Sequence, residues 1–236
     1  MTSNGIEFLK PIKPHLSVFN TIITILLNAV PLFSFINASK GKESYTNIPF
    51  LMLIVNVSNN IIWGCYWIRQ KEYISFLSSL FSFIFSTTYI LWYNFFVSQK
   101  NIKKYIKYII CQILSEALTI YFFLGEKISL KTVGLILIFI QILQYIAPVQ
   151  NVIKTYKEKN NKLIPIMSTI CGSLCSGGWT LFGLIIGDIN CIIPNGLGLI
   201  STIMTAFVWV YIKNNKKEEK DKGEEELGEI LTYKEK

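Results

Sequence analysis

Residues 144–179 read QYIAPVQNVIKTYKEKNNKLIPIMSTICGSLCSGGW, and the placement of their prolines decides the fold. Pro148 interrupts an apolar stretch, a lysine-rich loop follows, Pro165 opens the next apolar stretch, and Trp179 lies 14 residues later. Proline has no backbone N–H and disrupts the helix around it. The pattern therefore marks two apolar helices that are interrupted on either side of one loop.

The same order occurs upstream in the chain. Pro31 precedes a loop that holds two lysines, Pro49 opens the next apolar stretch, and Trp63 again lies 14 residues later. Pro165 lies 116 residues after Pro49, and Trp179 lies 116 residues after Trp63. Self-similarity at a fixed offset predicts two copies of one structural unit.

Composition indicates a membrane protein. Of the 236 residues, 51% are hydrophobic and only 16% are charged, whereas soluble domains are about 25% charged. Apolar runs of about 20 residues, the length that crosses a bilayer, separate the charged loops. Seven spans are predicted, at about 17–38, 48–68, 73–97, 105–124, 130–153, 163–187 and 190–212.

The repeat predicts how these spans are organised. Each copy holds three spans, and three is an odd number, so the fourth span is needed to bring both copies into the same orientation. Parallel repeats of this kind are a known transporter plan. We therefore predict an all-α membrane protein with seven transmembrane helices, arranged as two parallel three-helix bundles joined by a linker helix (3+1+3). The expected divisions are an extracellular N-terminus at 1–16, a first bundle at 17–97, a linker with helix 4 at 98–129, a second bundle at 130–213 and a disordered cytoplasmic tail at 214–236.

Lysines predict the orientation. They concentrate in the loops between spans 1 and 2, 3 and 4, and 5 and 6, and in the tail. Cytoplasmic loops carry such an excess. The N-terminus is therefore expected outside and the C-terminus in the cytoplasm, with the plasma membrane favoured and an endomembrane as the alternative. The net charge of +8 needs no nucleic-acid partner, because basic residues beside membrane spans account for it.

The second half resembles a known family. From residue 147 to residue 198 the chain is similar to the second triple-helix bundle of the SWEET sugar transporters, and the resemblance covers about 17–213. The shared features are Pro148, the lysine-rich loop, Pro165, the Trp-Thr-Leu-Phe-Gly of 179–183, Asp188 and the Pro-Asn-Gly-Leu-Gly of 194–198.

This resemblance implies a bidirectional sugar facilitator that works by alternating access between the two bundles. Leu143 occupies a family position that influences substrate size, and its bulk favours a hexose such as glucose. Proton coupling needs a titratable group on the pathway, and the only carboxylate deep in a span, Glu116, belongs to the linker helix. Uncoupled transport is therefore expected. The expected partners are a sugar, the lipid bilayer and, as relatives associate, further copies of the chain.

The same residues also bear on three other classes of function: an enzyme, an amino-acid exporter and a receptor. No catalytic residue, metal ligand set or cofactor is expected, so the chain is not predicted to be an enzyme. A cystine-type PQ-loop amino-acid exporter remains an alternative, although the proline and glutamine of 148–150 are not adjacent. A seven-helix receptor shares the predicted topology but does not explain the repeat.

A substrate pocket is predicted between the halves. Trp63 and Trp179 lie about 21 Å into their spans from the opening prolines, at 1.5 Å per residue, deeper than a tryptophan that anchors the near interface. Asn59 lies one turn before Trp63, and its repeat equivalent is Cys175. Asn195 is the strongest single site residue, with Ser78 as its counterpart. The resemblance adds four wall residues: Thr24, Leu27, Ile140 and Leu143.

Two gates are also predicted. The four matched prolines are expected to act as hinges at the cytoplasmic end, although prolines also produce ordinary kinks in membrane helices. They are Pro31, Pro49, Pro148 and Pro165. By resemblance, Tyr66 and Asp188 form an extracellular gate, with a solvated loop carboxylate as the alternative for Asp188.

Overall fold

The computed structural model describes residues 7–41, 50–97, 102–125, 127–159, 164 and 166–234. These residues are helical apart from short turns, and no strand occurs among them. The all-α class is confirmed. After a short 3-10 helix, Glu7–Ile12, the helices are α1 (Lys13–Ala29), α2 (Pro31–Ser39), α3 (Phe50–Arg69), α4 (Tyr73–Val97), α5 (Ile102–Leu124), α6 (Leu130–Glu158), α7 (Ile166–Ile186) and α8 (Ile189–Lys234).

Each predicted span falls on one of these helices, except that the first is divided between α1 and α2. Within the described residues, five stretches are long and apolar enough to cross a membrane: Phe8–Ser39, Tyr73–Phe96, Ile106–Leu124, Ile166–Ile186 and Ile189–Asn215. In the described part of α6 the apolar stretch is Leu130–Gln144. The chain is an integral multi-pass membrane protein, and the count of seven spans stays a prediction.

The two halves repeat one packing arrangement. In the first half α4 packs against both α1 and α3, and in the second half α8 packs against both α6 and α7. The halves meet where α1 contacts α7 and where α3 contacts α6, while α5 packs mainly on α3. The boundaries assigned to the two bundles stay a prediction.

The turns that end α3 and α7 share one backbone design. Lys71 and Gly187 both adopt a left-handed conformation, with φ of 61° and 69°. The next residue in each case, Glu72 or Asp188, donates its backbone N–H to the carbonyl five residues earlier, at 2.9 Å. This is the Schellman arrangement that terminates helices. The two turns are 116 residues apart, the same offset as the prolines and tryptophans.

The predicted hinge prolines lie in different settings. Pro31 begins α2 one residue after α1 ends, and Val30 between them keeps helical φ and ψ, so the hydrogen-bond pattern of the first span is interrupted there while its backbone stays helical. The hydroxyl of Tyr89 donates to the carbonyl three residues before Pro31, at 2.7 Å, and so satisfies an acceptor in the last turn of α1. Pro148 lies within the continuous helix α6. Pro49 and Pro165 lie outside the described residues.

The prediction of a disordered tail at 214–236 stays a prediction. α8 continues without interruption to Lys234. Beyond residue 214 the sequence mixes lysines and glutamates at spacings of three and four residues. Both residue types favour helix, and opposite charges at these spacings stabilise it. The cytoplasmic side of this segment stays a prediction.

Candidate functional site

A cavity of about 180 Å³ lies at the junction of the two halves. Helices α1, α3 and α4 form one side of it, and α6, α7 and α8 form the other. Its described lining contains no charged side chain. The lining residues are Thr24, Leu27, Asn28, Asn59, Asn60, Trp63, Trp67, Ser78, Ser79, Ser82, Gln141, Cys175, Trp179 and Asn195.

Two tryptophans link the halves through equivalent hydrogen bonds. The indole Nε1 of Trp63 donates to Gln141 Oε1 at 3.2 Å, and the indole Nε1 of Trp179 donates to Thr24 Oγ1 at 3.1 Å. Gln141 and Thr24 each lie seven residues before the matched proline of their own segment. Each bond therefore runs from the second helical segment of one half to the first of the other, and the repeat relates the two bonds.

A third tryptophan lies between these two. The ring of Trp67 stacks on Trp63 with centroids 5.1 Å apart, and on Trp179 with centroids 5.7 Å apart. The rings of Phe182 and Trp67 pack in a T-shaped arrangement, with centroids 5.9 Å apart. Trp67 is buried. The three indoles form a continuous stack across the junction between the halves.

The polar groups of the cavity come mainly from the first half. Asn28 Nδ2 donates to Ser82 Oγ at 2.9 Å, which holds α1 against α4. Asn59 Oδ1 is buried and has no hydrogen-bond donor within the described chain. In the second half, Asn195 Nδ2 donates to the carbonyl of Cys191 at 2.8 Å. Amides and hydroxyls of this kind both donate and accept hydrogen bonds.

Tyr66 and Asp188 connect the halves beyond the indole stack. The Tyr66 hydroxyl donates to Asp188 Oδ2 at 2.8 Å and accepts from Asn190 Nδ2 at 3.1 Å. The other carboxylate oxygen of Asp188 accepts the backbone N–H of Asn190 at 3.0 Å. Burial raises the pKa of Asp188 above its ordinary value, although the hydrogen bonds from Tyr66 and Asn190 act in the opposite direction.

Comparison with known proteins shows which family this chain resembles. The sequence model of the family described as "Sugar efflux transporter for intercellular exchange" matches residues 131–217. The chain is 22% identical over 194 residues to the bidirectional sugar transporter SWEET10 of Arabidopsis thaliana, covering 80% of this chain and 66% of the relative. It is 23% identical over 211 residues to the sugar transporter SWEET1 of Caenorhabditis elegans, covering 86% of this chain and 66% of the relative. The matched region thus spans just under two thirds of each relative.

The fold comparison agrees with the sequence comparison. A solved structure of a eukaryotic SWEET transporter superposes with a TM-score of 0.74 at 18% identity, covering 86% of this chain and 97% of that one. The SWEET resemblance is confirmed. The matching family is one of transporters, so the prediction that this SWEET-like chain is not an enzyme is also confirmed.

The structure brings most of the predicted pocket residues of this SWEET-like chain together. Eight of them line the cavity: Thr24, Leu27, Asn59, Trp63, Ser78, Cys175, Trp179 and Asn195. The other two do not. Ile140 packs against the hydrophobic core, and the side chain of Leu143 is 45% exposed. The contact of any of these residues with a substrate stays a prediction.

Six lining residues of the SWEET-like cavity were missed by sequence reasoning: Asn28, Asn60, Trp67, Ser79, Ser82 and Gln141. Helical spacing contained a signal for some of them. Trp67 and Ser82 lie one turn beyond predicted residues, on the same helix face. Gln141 is the residue seven positions before the helix proline, which is the position of Thr24 in the first half.

Proposed function

We propose that the chain is a bidirectional, uncoupled sugar facilitator whose substrate is a hexose such as glucose. The observation that carries this proposal is the neutral cavity in which indole rings face amides and hydroxyls at the junction of the halves. A sugar offers C–H faces that pack on aromatic rings and hydroxyls that donate and accept hydrogen bonds. The printed names of the relatives, which are sugar transporters, support the same substrate class.

The size of the cavity favours a single sugar ring. Its volume of about 180 Å³ is below the roughly 300–1,000 Å³ typical of pockets for drug-sized ligands. Trp63 and Trp179 provide the aromatic surfaces. The buried Asn59 Oδ1, which has no donor in the described chain, is proposed to accept a hydrogen bond from a sugar hydroxyl. Asn195 is proposed to bind from the second half.

Alternating access is proposed on the two ends of this site. At one end the bond between Tyr66 and Asp188 ties the halves together, and this end is proposed as the extracellular gate. At the other end the helix break at Pro31, supported by Tyr89, is proposed as one of four hinges. The remaining three, Pro49, Pro148 and Pro165, are proposed on their matched positions in the sequence.

The proposal of uncoupled transport rests on the lining. A pathway that carries a proton with its substrate needs a titratable carboxylate or imidazole along it, and the described cavity lining holds neither. We place the protein in the plasma membrane, with its N-terminus outside and its C-terminus in the cytoplasm.

Uptake of radiolabelled glucose tests this function. Yeast that lacks both its own sugar transporters and its hexokinases, and that expresses the full chain, is expected to take up glucose until the inner and outer concentrations are equal. An inward proton gradient should leave that end point unchanged, and preloaded cells should release glucose. Asn195→Ala, at equal surface expression, should lose most of the uptake. Accumulation above the outside concentration would contradict uncoupled transport, and uptake of amino acids without sugars would contradict the substrate class.

The pH dependence of transport is expected to depend on Asp188. In the closed gate burial raises its pKa, whereas in an open, hydrated gate a carboxyl has its ordinary pKa of about 3.9. The state with the higher pKa binds the proton more tightly, so acidification favours the closed gate. The initial uptake rate should therefore fall as the external pH is lowered from about 7.5 to about 4.5, because the lower pH approaches that ordinary pKa. Asp188→Asn, which does not titrate, should flatten this profile, and an unchanged profile would exclude Asp188 as its cause.

A further inference from the structure

A second cavity, of about 390 Å³, lies outside the transport site. It is enclosed by α3, α4 and α5, and it shares no lining residue with the cavity between the halves. Two of its lining residues on α5, Cys111 and Ser115, are exposed, so the cavity reaches the protein surface. The proposed transport function makes no use of it, and the inference drawn from it does not rest on that function.

Glu116 lies in this cavity, near the centre of the apolar stretch Ile106–Leu124. Gln112 Nε2 donates to one of its carboxylate oxygens at 2.9 Å. Among the described residues Glu116 has no cationic partner, and Gln112 Oε1 is buried without a donor. An amide oxygen buried without a donor is costly at this depth. The cavity therefore presents the Glu116 carboxylate, which accepts from Gln112, beside an amide oxygen that has no donor within the described residues.

The rest of the cavity is largely apolar. Its other wall includes Ile54, Val57 and Ile90 from α3 and α4. On α5 the neighbouring Ile113 and Leu114 are more than half exposed, so this helix faces the hydrocarbon of the bilayer. A ligand that reaches the cavity from the side would arrive from the membrane and would itself be apolar over most of its length.

We propose that this cavity binds an amphiphile with an ammonium head group and a hydrocarbon body. The head group lies beside Glu116 and donates to the carboxylate and to Gln112 Oε1. An alkylammonium ion has three N–H donors and a positive charge, which match these acceptors. The chain of the ligand lies along Ile54, Val57 and Ile90. A neutral alcohol of the same length has one donor and no charge, and an alkanoate carries the wrong charge.

The probe is dodecylammonium, compared with dodecanol and dodecanoate, on the full chain in lipid nanodiscs. The readout is the alkylation rate of the exposed Cys111 by a maleimide, followed site by site by mass spectrometry. Dodecylammonium is expected to slow this alkylation saturably, at a concentration at least about tenfold lower than dodecanol, because an ion pair at partial burial exceeds the energy of a tenfold difference. Dodecanoate is expected to give no protection. Glu116→Gln should remove the preference for the ammonium ion, while Glu158→Gln, an exposed carboxylate on α6, should retain it.

Equal protection by dodecanol and dodecylammonium would overturn the proposal, and so would an ammonium preference that survives in Glu116→Gln. A second variant covers the case in which Glu116→Gln does not fold. Ser115→Phe fills the cavity from an exposed helix position without changing a charge. It should abolish saturable binding of radiolabelled dodecylamine while the purified protein keeps its melting temperature. Binding that persists in Ser115→Phe would place the ligand elsewhere and overturn the assignment.

Discussion

The Gly178→Ala variant is expected to be less stable and to reach the membrane surface in smaller amounts. A Cβ atom at position 178 would overlap Asn20 Oδ1 and lie 3.0 Å from its Cγ, closer than atoms in contact can approach. Asn20 is fully buried where α1 meets α7, so its amide has to shift within this packed interface to make room. Overpacking of this kind costs about 1–3 kcal/mol or more. A fall in melting temperature of at least about 5 °C in purified protein, together with loss of surface expression, would be the result measured.

The neighbouring glycine provides the matched control. A Cβ atom at Gly177 would make only ordinary contacts with Leu199, at 3.7 and 4.0 Å. Gly177→Ala should therefore be as stable as the original chain and should take up glucose at the same rate. Alanine also has a higher helix propensity than glycine, which stabilises the variant. Combining Gly178→Ala with Asn20→Ala removes the clashing atoms and should recover part of the loss. Equal damage from both alanine variants, or no recovery in the double variant, would show that the contact between α1 and α7 is not the cause.

The Trp179→Ala variant is expected to reduce glucose uptake per surface molecule by about a hundredfold or more, equivalent to about 2.7 kcal/mol. The substitution removes the stack on Trp67, the hydrogen bond to Thr24 and one proposed aromatic surface for the sugar. Replacing a buried tryptophan by alanine typically costs about 3–5 kcal/mol. Trp179→Phe keeps a ring but lacks the Nε1 donor, so its loss should be about tenfold or less, the value of a single hydrogen bond.

Trp92→Ala is a control that distinguishes an effect on transport from an effect on folding. Its ring packs on Phe35 inside the first half, with centroids 5.6 Å apart, and it does not line the cavity. Trp92→Ala should lower stability and expression but leave uptake per surface molecule, and the KM for glucose, close to the original values. If Trp92→Ala and Trp179→Ala reduce uptake per surface molecule equally, the proposed role of the cavity is wrong.

The repeat made the fold predictable, because prolines, loops and apolar lengths together restrict each half to three helical spans. The side of each helix that faces the cavity was harder to predict. Successive residues on a helix are about 100° apart, so an error of one position turns a side chain out of the site. The first spans of the two halves are offset by 117 residues and the second by 116, because the first loop is one residue longer. Counting back seven residues from the proline of each helix pairs Thr24 with Gln141. An offset of 116 residues pairs Thr24 with Ile140 instead, which lies on the adjacent face of the helix.

Contacts between distant parts of the chain were predictable only by resemblance. The bond between Tyr66 and Asp188 joins residues 122 positions apart, and neither composition nor spacing pairs them. The resemblance supplied that pair, and the structure places the two side chains in contact. Trp67 was missed because a tryptophan next to an interface has an ordinary explanation as an anchor. Only the packing of α3 against α6 and of α1 against α7 brings the three indoles into one stack.

The uneven distribution of amides and hydroxyls in the cavity has a consequence for how a bound molecule is oriented. The two halves repeat one helix packing around the cavity, yet Asn28, Asn59 and Ser82 all belong to one half, and the other half contributes fewer polar groups. A solute with several hydroxyls therefore cannot tumble freely there, because one pose satisfies more hydrogen bonds than its rotated image. The same face of the molecule leads on the way in and trails on the way out. Efflux retraces the path of influx in reverse, so under the proposed function the two directions can differ in KM and in Vmax but share one ratio of Vmax to KM and reach the same equilibrium.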